Sequence, residues 1–281
     1  MRKPNLLTST AAAHLPSMPH RCAALAAAFN IALILASPAC AGKAAGEAVQ
    51  KAWVVRASAG LPPPVIGALH SIVGFDRRLL ALRSYLRAGD SLSARWSWSQ
   101  ERLALYPSTP EGKAAAADID AVAAAFTAAN PDFSLHVNRQ VRSLELQIAH
   151  WNENGSVGTN AAALLTDLKR RYSDNRASLN EDELRKALIE WQPKSAASLA
   201  APGLSAHGQG CAFDFQVEHG GQVIAGPNVA TAHRQWDAPG WTLKLHAAVA
   251  VAGNHFVGPI QSPYEPWHYA YMPGVDRSAC R

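Results

Sequence analysis

The sequence predicts an α+β protein in which helices come first and a small, antiparallel sheet comes last. Three observations predict it. Amphipathic helical segments fill most of the chain between residues 76 and 191, alternating segments cluster beyond residue 210, and a glycine pair at Gly220-Gly221 separates two of those segments as a hairpin would.

The N-terminus reads as an export signal rather than as part of the fold. Arg2, Lys3 and Arg21 stand in residues 1–21 without an acidic residue, Ala23 to Ala36 is almost wholly apolar, and Ala39-Cys40-Ala41 offers small residues for cleavage. Fourteen residues of helix span only about 21 Å against a hydrocarbon core of about 30 Å, which disfavours a membrane anchor. Cleavage is expected near Ala41/Gly42, leaving no membrane span. Lipidation of Cys40 stays open, with Ser37 where a lipoprotein signal usually has Leu. Without its first 41 residues the chain loses three cations and no anions, so its net charge of +5 falls to about +2 and the case for nucleic-acid binding falls with it.

Residues 42–110 are expected to form a mainly helical extension. Asp76 to Arg87 carries Leu79, Leu80, Leu82 and Leu86, and the segments Leu61 to Pro64 and Tyr106 to Pro110 read as breaks. Trp96 and Trp98 suit packing against a core, or else a glycan groove. A second domain, residues 111–281, follows. Ala115 to Ala129 places Ile119, Val122 and Phe126 at helical spacing and stops at Asn130-Pro131. Phe133 to Val137 alternates as a short strand. Ser143 to Trp151 is a helix ended by Asn152 to Gly155, and Thr159 to Tyr172 is another, with Leu164, Leu165 and Leu168 on one side. Asn180 and Glu183 form a capping box before a helix that buries Leu184, Ala187, Leu188 and Trp191. Pro193 to Gly210 reads as loop.

Cys211 to Val217 is the first long strand, with Cys211, Phe213, Phe215 and Val217 on one face and Ala212, Asp214 and Gln216 on the other. Gln222 to Ala225 is its hairpin return. Trp241, Leu245, Ala248 and Ala252 mark a helix, and Trp267 to Met272 a last strand, with Pro266 allowed at its start because proline is tolerated there. No internal repeat and no nucleotide-binding glycine loop is present.

Asp214 is the conspicuous residue of this pattern. A carboxylate on a strand bound for the core is costly to bury unless it is paired or holds a metal; a salt bridge at a sheet edge is the other outcome. His207, seven residues earlier, can reach it if Gly208 and Gly210 let the chain turn sharply. In a regular strand Glu265 and His268 would face opposite sides, but Pro266 breaks the parity and lets both face one site. Two histidines and one aspartate would leave a zinc ion an open position, and a glutamate that does not ligate could serve as base. His219, His233, His246 and His255 lack comparable surroundings and read as surface or packing residues, and no H-E-x-x-H helix offers another zinc site.

The residues Ser205, His207, Gly210, Ala212 and Asp214, followed by Glu265-Pro266-Trp267-His268, match S-x-H-x-x-G-x-A-x-D and E-P-W-H. In this the chain resembles the VanY-like zinc D-Ala-D-Ala carboxypeptidases, related to the VanX-type dipeptidases, over about residues 115–273. The resemblance implies that His207, Asp214 and His268 bind Zn2+ and that Glu265 is the general base. Arg142-Ser143 and Gln147 fit the family's R-S-x-x-x-Q, which implies that Arg142 steadies the substrate carbonyl or oxyanion and makes Gln147, like Ser205, a candidate substrate contact. Gln140-Val141 departs from the family's glycine-tyrosine. The implied substrate is a peptidoglycan stem peptide, met in the periplasm or at the cell wall. Endopeptidase cleavage of an internal bond and a non-catalytic wall-binding module are the alternatives. Cys211 and Cys280 are the two cysteines outside the signal, and in an exported chain they form either one disulfide or two separate buried thiols.

Overall fold

A computed structural model describes residues 52–172, 180–252 and 255–274. The expected signal, residues 1–41, and Cys280 lie outside the described residues. Cys211 is disulfide-bonded.

The α+β class is as expected. Residues 52–57 are helical and are followed by α1 (Pro63–Ser71), α2 (Phe75–Ala88), α3 (Gln100–Leu105), α4 (Pro110–Ala129), β1 (Phe133–Val137), α5 (Leu144–Glu153), α6 (Gly155–Arg171) and α7 (Glu181–Glu190). Then come β2 (Ala212–His219), β3 (Gln222–Ala225), α8 (Trp241–Ala252), β4 (Phe256–Val257), β5 (Ile260–Gln261), β6 (Tyr264–Glu265) and β7 (His268–Tyr271). Among the described residues no helix is long and apolar enough to cross a membrane.

Two helix starts differ from expectation for one reason. The Pro-rich segments at 61–64 and 106–110 read as breaks, yet Pro63 and Pro110 each open a helix. A first-turn N–H has no helical partner, so proline loses nothing there and its fixed φ suits the helix. Thr109 then caps α4 by accepting from the amide of Gly112 at 3.0 Å. Asn154 caps α6 in the same way, accepting from Val157, so α6 starts four residues before Thr159 and only Asn154 separates it from α5. The expected capping box of Asn180 and Glu183 closes in both directions.

Two hydrophobic cores result. The first joins Trp53, Leu69, Leu79, Leu82 and Tyr85 of the N-terminal helices to Trp151, Leu164, Leu168, Leu188 and Trp191. The helices of residues 144–191 thus share their core with the N-terminal extension. The second core lies between the sheet and helices α4 and α8, and it buries Ile119, Phe126, Phe213, Phe215, Trp236, Leu245 and Tyr269.

β2 organises the sheet. Its C-terminal half pairs with β1 on one edge and β3 on the other, and its N-terminal half pairs with β7, which carries β4 beyond it; every pairing is antiparallel. A separate two-stranded hairpin, β5–β6, leads into β7. Alternation along β2 is as expected where it matters: Phe213, Phe215 and Val217 are buried, while Asp214 and Gln216 are only half-buried.

Candidate metal site

Antiparallel register sets Asp214 of β2 directly opposite His268 of β7. Side chains of directly opposed residues leave the same face of the sheet, and His268 Nδ1 lies 3.1 Å from Asp214 Oδ1. His207 arrives from a short 3-10 turn, Ala206–Gln209, and its Nε2 lies 3.5 Å from Asp214 Oδ2 and 3.3 Å from His268 Nδ1. One ligating atom from each of the three residues falls within 4.8 Å of the others, so the group could hold a metal ion. Among the described residues no other such group of histidine, cysteine or carboxylate side chains occurs.

The turn that delivers His207 uses its two glycines differently. Gly210 closes it in the left-handed region, at φ 64°, where a side chain would be strained. Gly208 supplies room instead, since a Cβ there would lie 2.0 Å from Ser97 Oγ.

Glu265 ends β6, and Pro266-Trp267 separate it from β7. That break restores Glu265 to the side of His268: Oε2 lies 3.4 Å from His268 Nδ1. Arg142 lies just before α5, not within it. Its amide donates to the carbonyl of His207 at 2.9 Å, and Nη2 reaches Asp214 Oδ2 at 3.4 Å. The five side chains are between 12% and 25% exposed, shielded from bulk water yet open to a ligand.

The electrostatics suit a cation. Burial pushes the His207 imidazole down to about 4, with neighbouring Asp214 opposing, so the ring is neutral at pH 7 with a lone pair to offer. Burial alone would raise Asp214, but His268, His207 and Arg142 outweigh it and hold the carboxyl below its ordinary range. Its Oδ1 is buried without a hydrogen bond, although His268 Nδ1 is 3.1 Å away. An orphaned carboxylate oxygen beside ring nitrogens is a costly arrangement that a shared cation would satisfy. Two nitrogens and one oxygen do not by themselves select zinc. Glu265 is raised by burial and by Asp214, against the pull of His268 and Arg142.

A cavity of about 150 Å³ adjoins the group, walled by Asn138, Gln140, Val141, Arg142, Leu146 and His207. Val141 and Leu146 are the apolar residues of its otherwise polar lining. Neither residue carried a sequence signal beyond Val141's departure from the family pattern. A larger cavity of about 420 Å³ meets the far end of the turn at Gln209 and Gly210, walled by Trp98, Tyr106 and Tyr271. None of the His207, Asp214 and His268 side chains line it.

Two expected substrate contacts stand elsewhere. Gln147 is buried, and its amide is engaged by protein on both sides: Nε2 donates to Ser97 Oγ and to the Arg142 carbonyl, and Oε1 accepts from the Gly203 amide. A side chain so committed is not available to a substrate. Ser205 leads into the His207 turn, and its carbonyl accepts from Gly208 at 2.8 Å; it does not wall the 150 Å³ cavity. Trp96 packs edge-on against Tyr85, while Trp98 packs at a tilt against Tyr106 and carries the Arg102 guanidinium over its ring.

Three of the other histidines have local partners: His233 bonds Asp237 and stacks on Tyr264, His255 bonds Asp118, and His219 packs on Phe133; His246 is exposed. Compared with protein-family models, curated proteins and solved structures, the chain finds no match.

Proposed function

We propose that this protein is an exported, zinc-dependent peptidase that hydrolyses peptidoglycan stem peptides and releases a terminal D-alanine. The observation that carries the reading is the company kept by the His207–Asp214–His268 group: a half-buried glutamate 3.4 Å from one ligand and an arginine 3.4 Å from another. A purely structural metal site needs neither. The choice of zinc and of the bond cut rests on the resemblance of the motifs around Ser205–Asp214 and Glu265–His268 to those of the carboxypeptidases.

A zinc ion held by the three ligands would supply a Lewis acid that polarises the scissile carbonyl and acidifies a water. Glu265, whose Oε2 lies 3.4 Å from His268 Nδ1, could take the proton of an attacking water. The same oxygen can then return that proton to the leaving amine. Arg142, its backbone fixed to His207 and its guanidinium beside Asp214, can place an N–H against the charge that develops on the carbonyl oxygen. The cavity beside Arg142 is small, about 150 Å³, which suits a short terminal residue.

The test is incubation of the purified protein with a pentapeptide stem, with and without chelator, followed by mass spectrometry. Zinc-dependent loss of one alanine is expected, and Glu265→Gln should lower turnover at least 100-fold while zinc stays bound. Internal cleavage would make the protein an endopeptidase, and no product from any wall fragment would leave it a binding module. Near-wild-type turnover in Glu265→Gln would remove Glu265 from the chemistry.

A further inference from the structure

Residues 94–98, in the N-terminal helical segment, run along the back of the turn that presents His207. Gln209 Nε2 donates to the carbonyls of both Ala94 and Trp96, at 2.8 Å each. The amide of Ser97 donates to the Gly203 carbonyl at 2.8 Å, and that of Trp98 to the Gly208 carbonyl at 2.9 Å. Packing is as close as the bonding: a Cβ on Gly203 would lie 2.5 Å from the Trp96 ring, and one on Gly208 would lie 2.0 Å from Ser97 Oγ.

Gln147 closes this arrangement onto Arg142. Its amide group offers two donors and one acceptor oxygen. Both bonds donated by Nε2 are made, to Ser97 Oγ at 2.8 Å and to the Arg142 carbonyl at 2.9 Å, and Oε1 accepts from Gly203 at 2.9 Å. The orientation is fixed by the two backbone groups, because a flipped amide would set oxygen against the Arg142 carbonyl and N–H against the Gly203 amide. Arg142 is thus held at both ends of its own backbone, its amide by His207 and its carbonyl by Gln147.

We infer that Ser97 and Gln147 are positioning residues that fix Arg142 relative to His207, so that the N-terminal helical segment is a working part of the site. The inference rests on the reading of Arg142 as the charge-stabilising group. Ser97 touches no reacting atom. It acts by satisfying a buried amide whose other bond holds Arg142, and removing its hydroxyl leaves that donor short of a partner in a place water does not reach.

Hydrogen exchange on the metal-free protein tests the geometry without reference to turnover. In Ser97→Ala, and independently in Gln147→Met, the Arg142 amide should exchange about ten-fold faster. The Phe215 amide, which donates to the Trp267 carbonyl within the sheet, should be unchanged and so reports an intact fold. Turnover is the second arm: Ser97→Ala should lower kcat about ten-fold at constant KM, and this loss should vanish when Arg142 is already replaced by Ala. Unchanged exchange at Arg142 in both variants would overturn the inference, as would an equal kcat loss with and without the Arg142 side chain. A wild-type protein without zinc-dependent turnover would sink the peptidase reading alone, and the exchange arm would still decide whether Ser97 and Gln147 hold Arg142.

Discussion

Gly208→Ala is the most informative single methyl that can be added near the site. The new Cβ would fall 2.0 Å from Ser97 Oγ, 2.6 Å from Gln147 Nε2 and 2.9 Å from Ser97 Cβ. Neither neighbour can simply turn away. Ser97 is tied through its amide to Gly203, the adjacent Trp98 amide is tied to Gly208 itself, and Gln147 is bonded on both sides of its amide. Relief must come from moving the His207 turn or breaking the Ser97–Gln147 bond. Overpacking of this kind costs about 1–3 kcal/mol, and a broken buried bond places the variant at the upper end, near 3 kcal/mol. For a chain of this size that is a fall in Tm of about 5–10 °C. Thermal unfolding of chelator-treated protein measures it. Gly155→Ala is the control, because a Cβ at Gly155 meets nothing within 4 Å and should leave Tm unchanged or slightly higher. Adding Ser97→Gly to Gly208→Ala removes two of the three overlaps and should recover part of the loss. A Gly208→Ala variant that melts with the wild type would refute the packing described behind the turn.

The acid side of the stability curve carries a second prediction. His207 is pushed from its ordinary 6.5 down to about 4 by burial, so the folded chain binds fewer protons than the unfolded one between those values. The stabilisation is present above about pH 6.5 and is lost as pH falls toward 4, by about 2–3 kcal/mol between pH 7.5 and 4.5. Urea unfolding of metal-free wild type should therefore show a steeper acid loss than His207→Gln, and parallel curves would contradict it. In the second core, Phe215 is fully buried between Phe256 and Tyr269, on the strand that carries Asp214. Phe215→Ala should cost about 3–5 kcal/mol in chemical denaturation, and a loss under 1 kcal/mol would show that the sheet core is not packed as described.

The meeting of Asp214 and His268 was legible in the sequence because a strand writes its geometry into a period of two. Phe213 and Phe215 point to the core, so Asp214 must point away, and the proline between Glu265 and His268 is the visible mark of a parity break. The antiparallel pairing that sets Asp214 opposite His268 follows no local rule, yet the two motifs already implied that these residues meet. Other features left weaker traces. β4, β5 and β6 are two residues each, too short for alternation to be recognised. Pro63 and Pro110 misled because proline breaks a helix interior and suits a helix start, and the sequence around them does not say which applies.

What periodicity could not reveal was the use of the N-terminal helices. Residues 94–98 meet Gly203, Gly208 and Gln209 mainly through backbone groups, and backbone pairing between segments 100 or more residues apart imposes no pattern on either. Only the glycines hint at it, since positions 203 and 208 have no space for a side chain. The first core reaches the His207–Asp214–His268 group by the same route. Tyr85, fully buried, donates to the Pro202 carbonyl at 2.7 Å and packs on Trp96, which lies beneath Gly203. His268 and Asp214 are held by the sheet, whereas His207 and Arg142 are held by loops braced on the helical core. Moving either core against the other would change the distances between the two pairs, so the geometry of the site depends on both cores being formed.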